Sequence, residues 1–149
     1  MTLTDSGPLT ALLNRNDQYH NLCAAVASAL SPPMVTTMAC FTEAMHFLGR
    51  DIGWNAQTRL WQLVQDGRVD VRTFDDKDLQ RMRELMEKYH DTPMDVADAS
   101  MVALAERLDE TVIFTLDSHF KAYRLPPLPQ LKIKINNISG ALSLHGSRS

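Results

Sequence analysis

Four carboxylates occupy surroundings that a carboxylate seldom tolerates alone. Asp5 follows the short run Thr2–Thr4 and precedes Ser6-Gly7-Pro8. Glu43 lies among Phe41, Ala44 and Met45, and Asp98 among Val96, Ala97, Ala99 and Met101. Asp117 comes three residues after Phe114, just past the apolar stretch Val112–Thr115. Acids in apolar settings are paired, hydrogen-bonded or bound to a metal. If these four meet in one cleft they repel each other, and a cation is what allows all of them to stay ionised. An oxygen-only donor set suits a hard ion, Mg²⁺ or Mn²⁺, which keeps several waters and often bridges to phosphates.

Each acid also has a plainer role open to it. Asp5 and Asp117 can be turn or capping residues, Asp95 can cap a helix, and Glu43 can be an ordinary helix-surface acid. Asp98 resists this best, because its neighbours are so apolar. Asp95 stands three residues before it, a spacing that places both on one helix face. Covalent catalysis is not readable. There is no G-x-S-x-G motif, the five histidines are scattered, and Cys23 and Cys40 sit in apolar stretches that suit buried reduced thiols.

The elements that would carry these acids alternate between strand and helix. Strands are expected at 2–4, 34–36, 69–73, 112–115 and 131–135. Helices are expected after Pro8, over 17–30, from Thr37 to Gly49, and over 55–65 and 76–89. A last helix is expected to open at Pro93 and end near Leu108. Thr37 can cap its helix. The 131–135 strand carries two lysines and would suit an edge. Strands alternating with helices imply a parallel α/β sandwich, in which ligands sit beyond the carboxyl ends of the strands. Asp5 and Asp117 fall at such ends.

Length and composition fit one globular domain. The 149 residues are 44% hydrophobic and 22% charged. Residues 1–138 read as the domain and 139–149 as a loose tail. Net charge is −3, but all 18 acidic residues lie at or before Asp117, and five of the 15 basic ones (Lys121, Arg124, Lys132, Lys134, Arg148) lie after it. A basic end on an acidic body can mark a polyanion contact or a merely solvated segment. No signal peptide or membrane-length apolar run is readable, so a cytoplasmic protein without membrane contact is expected.

Four segments together resemble the PIN-domain family, and within it the VapC-type toxin ribonucleases. They are TDSGPLTALLNRNDQYH, which includes Asp17-x-x-His20; TTMACFTEAMHFLG; PMDVADASMVALAERL; and VIFTLDSHF. The likeness spans roughly residues 1–124 in the same order. It implies a PIN-like three-layer α/β/α sandwich with a central, mostly parallel sheet. It implies a Mg²⁺-dependent endoribonuclease (Mn²⁺ possible) that acts as the toxin of a toxin–antitoxin pair. Asp5, Glu43, Asp98 and Asp117 match the family's acidic positions as catalytic residues and metal ligands. Asp95, Thr115 and Thr37 would support them, and His119, Lys121 and Arg124 would touch substrate. His119 stands where the family often has an acid. The implied partners are RNA, a cognate antitoxin and a second copy of the chain; the Trp54–Trp61 helix is a candidate apolar surface for them or, equally, a core element. The alternative is a PIN scaffold without catalysis that binds RNA or protein.

Overall fold

The computed structural model describes residues 1–117 and the strand Lys132–Ile133. Five strands form one sheet: β1 (Thr2–Thr4), β2 (Met34–Thr37), β3 (Val69–Arg72), β4 (Val112–Phe114) and β5 (Lys132–Ile133). Their order is β3-β2-β1-β4-β5, and every neighbouring pair is parallel. Parallel strands need crossovers, and helices supply them. These are α1 (Ser6–Leu13), α2 (His20–Ser28), α3 (Met38–Asp51), α4 (Trp54–Gln65), α5 (Asp76–Lys88) and α6 (Val96–Leu108).

The pleat sorts the strand side chains into two layers. Leu3 pairs in register with Val35 on one side and Ile113 on the other. These three face α5 and α6 and bury against Met82, Leu85, Met101 and Leu104. On the other face Val69 buries with Leu9, Phe41, Leu48 and Leu60 of α1, α3 and α4. Phe114, fully buried, packs with Ala11, Cys23 and Val26 under α1 and α2. The result is the three-layer α/β/α sandwich with a parallel sheet. Arg81 makes two hydrogen bonds to the Glu106 carboxylate, at 2.8 and 2.9 Å, and Arg107 bonds Asp78 at 2.6 Å; both tie α5 to α6.

Local differences from the sequence expectation have simple causes. The 17–30 helix begins only at His20, because residues 15–19 form turns in which Asp17 accepts from the Tyr19 N–H. The helix from Thr37 runs through Gly49 to Asp51. Gly49 is a close-approach site: an added Cβ would lie 2.4 Å from the Gln57 side chain of α4. Gly53, at φ +113°, makes the turn instead. The last helix starts at Val96 with Asp95 as its cap rather than at Pro93. Lys132–Ile133 is an edge strand, as its lysine pattern suggested. The 138/139 boundary lies outside the described residues. Among those residues no helix is long and apolar enough to cross a membrane.

Candidate active site

The acids gather at the carboxyl edge of the sheet because each is carried by an element that ends or begins there. Asp5 is the residue after β1 and caps α1, its Oδ1 accepting from the Ser6 N–H at 2.8 Å. Its Oδ2 accepts from the Thr115 hydroxyl at 2.8 Å. Thr115 follows β4, the neighbour of β1, and its oxygen in turn accepts from the Asp117 N–H at 3.0 Å. One hydroxyl therefore joins the segments bearing Asp5 and Asp117. The Ser6 hydroxyl donates to the Glu43 carboxylate, bringing α3 to the same place.

Asp98 arrives on α6. It is the third residue of that helix, and with Asp95 it forms a capping box. Asp95 accepts from the Asp98 N–H at 2.8 Å, and Asp98 accepts from the Asp95 N–H at 3.1 Å. Asp95 thus caps α6 through the same pair of hydrogen bonds that link it to Asp98. Thr37 caps α3 by accepting from the Cys40 N–H at 3.1 Å, and its hydroxyl meets that of Ser100 at 2.7 Å.

The electrostatics reflect this convergence. Burial first, then repulsion from Asp95, Asp5 and Asp117, pushes the Asp98 pKa up to about 7, against the pull of its backbone hydrogen bond. Burial likewise raises the Asp5 pKa, and Glu43 adds to it, while the bonds from Thr115, Ser6 and Cys40 oppose it. Carboxylates so placed take protons readily, and a cation would relieve the same strain. The donor set is oxygen and hard, so it fits Mg²⁺ or Mn²⁺ by chemistry. Yet among the described residues no three His, Cys, Asp or Glu side chains are already gathered to hold an ion. Asp98 accepts from the Asp95 N–H of its own cap, and Glu43 accepts from the Ser6 hydroxyl.

A groove of about 720 Å³ opens beside Glu43 and Asp95, which line it with His46, Phe47 and Val96 among others. His119, Lys121 and Arg124 lie outside the described residues. His20 of the Asp17-x-x-His20 motif bonds the Ala11 carbonyl at 2.8 Å and so ties α2 to α1. On α4, Leu60 is buried, whereas Trp54 and Trp61 are exposed, Trp61 edge-on to Phe41 at 5.0 Å. Sequence reasoning missed Ser6, Cys40 and Ser100. For Ser6 the signal was its place directly after Asp5. For the other two it was their spacing, three residues after the cap Thr37 and two after Asp98.

Several solved structures share this architecture. Over 87% of this chain and 100% of its own, the Mycobacterium tuberculosis VapC20 toxin, described as sarcin-ricin loop cleaving, superposes with a TM-score of 0.76 at 17% identity. A toxin–antitoxin complex from Klebsiella pneumoniae gives 0.64 at 13% identity, over 89% of this chain and 99% of that one. FitAcB from Neisseria gonorrhoeae gives 0.56 at 15% identity, over 80% and 89%. No curated protein sequence matches this chain significantly. A family model, that of the PIN domain, matches residues 2–125. With that match running from β1 through Asp117, the chain belongs to the PIN domain family.

Proposed function

We propose that this protein is a divalent-metal-dependent endoribonuclease and the toxin member of a toxin–antitoxin pair. The observation that carries the reading is that acids from separate segments reach one sheet edge: Thr115 bonds both the Asp5 carboxylate and the Asp117 N–H, Ser6 bonds Glu43, and Asp98 lies near enough for Asp5 and Asp117 to raise its pKa. Membership of the PIN family and likeness in fold to toxins support it.

Asp5 and Asp98 would be the direct ligands of Mg²⁺ or Mn²⁺, with Glu43 and Asp117 completing the set directly or through water. The ion supplies charge neutralisation at a scissile phosphate and acidifies bound water. Thr115 holds the Asp5 carboxylate and the Asp117 backbone in one bonded unit, Ser6 holds Glu43, and Asp95 holds the start of α6. Attack of water on phosphorus, with the P–O3′ bond breaking and the 3′ oxygen taking up a proton, would leave a 5′-phosphate and a 3′-hydroxyl. His119, Lys121 and Arg124 are proposed to touch the RNA; such contacts position the backbone without reading sequence. A cognate antitoxin and a second copy of the chain are the proposed protein partners, and exposed Ile52, Trp54 and Trp61 offer apolar surface to them. A cytoplasmic location follows from this role.

The test is RNA cleavage by the wild-type chain and by Asp98→Asn, with Mg²⁺ or Mn²⁺ and with EDTA. Metal-dependent cleavage lost in the variant, with 5′-phosphate ends, is expected. Unchanged cleavage by Asp98→Asn removes that residue from the chemistry, and 2′,3′-cyclic phosphate ends overturn the water-attack route. Metal binding without turnover on any RNA favours the alternative, a binding scaffold.

A further inference from the structure

Cys40 is fully buried, and the proposed chemistry does not use it. Its thiol lies 3.5 Å from Asp5 Oδ1 and 3.7 Å from the carbonyl oxygen of Ala97, the residue before Asp98. A thiol has one proton to give. The nearer acceptor is also the one that can be charged, so the S–H points to Asp5 and the sulfur rests against the start of α6.

The hydroxyls around it leave little freedom in this arrangement. Ser100 donates to the Ala97 carbonyl at 2.7 Å, so its oxygen is the acceptor for the Thr37 hydroxyl at 2.7 Å. The Thr37 oxygen in turn accepts from the Cys40 N–H at 3.1 Å. Each proton is used once, and Thr37, Cys40 and Ser100 are all closed to solvent. A satisfied buried network of this kind rigidifies what it joins. It joins the first turn of α3 to the first turn of α6, and the thiol extends it to the end of β1.

We propose that Cys40 is a positioning residue of the acidic site: its thiol, wedged between the Asp5 carboxylate and the Ala97 carbonyl, sets the spacing between Asp5 and Asp98. The proposal rests on the reading of those two acids as metal ligands. With Ser6 N–H and the thiol on Oδ1 and Thr115 on Oδ2, Asp5 is fixed from three sides while Oδ2 keeps a lone pair for a cation.

Two measurements test it. In calorimetric Mn²⁺ titration of the full chain, Cys40→Ala loses the donor and is expected to bind about tenfold more weakly or worse, as loss of an outer hydrogen bond to a ligand typically does. Cys40→Ser restores a donor and is expected to recover most of that loss. Wild-type affinity in Cys40→Ala overturns the proposal, and so does equal weakening in Cys40→Ser, which would make volume rather than the hydrogen bond the cause. The second measurement needs no metal. In a Cys23→Ala background the infrared S–H band reports Cys40 alone, and Asp5→Asn, which keeps a good helix cap, should move it to higher wavenumber. An unmoved band overturns the proposal by itself. A wild-type chain that binds no Mn²⁺ overturns instead the metal reading on which it rests, while the S–H band still reports whether the thiol bonds Asp5.

Discussion

Replacing Asp98 by Asn should make the metal-free protein more stable at neutral pH. Asp98 has a folded-state pKa of about 7 against an ordinary 3.8. The native chain therefore holds the proton more tightly than the unfolded chain between those values. Stability from this group is fully present below about pH 4 and is lost as pH rises through about 7. The displacement sets a ceiling of about 4 kcal/mol; relaxation of the surroundings around the charge brings the expected effect to about 2 kcal/mol. Asn is neutral at all pH, and its side-chain oxygen can still accept from the Asp95 N–H. Wild type and Asp98→Asn should thus match near pH 4 and diverge by pH 7.5, with the variant melting about 4–8 °C higher. The assay is thermal or urea unfolding at both pH values in EDTA. Subtracting the two proteins cancels the titrating groups that do not feel Asp98; the Asp5, Asp95 and Asp117 charges that repel it belong to the measured difference. Adding Mg²⁺ at pH 7.5 should then stabilise the wild type and not the variant, since a ligand stabilises only the state that binds it. A variant less stable than wild type at pH 7.5 would refute the reasoning. It would mean that the Asp98 charge is balanced in the native state.

Other expectations are more local. Thr115→Val removes the donor to Asp5 and the acceptor of the Asp117 N–H; it should cost about 1–3 kcal/mol in urea unfolding, and a neutral result would refute its bridging role. Asp95→Ala deletes the cap of α6 and should cost about 1 kcal/mol in the same assay. Thr36 buries a hydroxyl that has no hydrogen-bond partner among the described residues. Thr36→Val should therefore raise stability by about 1 kcal/mol, and a loss would show that the hydroxyl does find a partner.

Much of the architecture was legible from one sequence because its signals are local. Alternating short apolar runs and amphipathic stretches located every strand and helix among the described residues. Gly and Pro misled where their role was not punctuation. Gly49 serves packing against Gln57, and Pro93 precedes a start set by the Asp95–Asp98 box. The acids were legible by type, through the mismatch between a carboxylate and an apolar setting. Their bonding was not, because a hydrogen bond such as Thr115 to Asp5 spans 110 residues and no local pattern encodes it.

The sequence by itself determined the elements and their order, the polarity of each face and the chemistry of the candidate ligands, since these depend on side-chain type and spacing along one chain. Tertiary structure decided which ends lie together. A parallel sheet in the order β3-β2-β1-β4-β5 puts β1 beside β4, so Asp5 meets Thr115 and Asp117, and it sets α3 and α6 against the same edge. That juxtaposition is also what turned Cys40 from an ordinary core thiol into a neighbour of Asp5. Burial and mutual repulsion then raise the Asp98 pKa, and both are properties of the space between segments, not of any one of them.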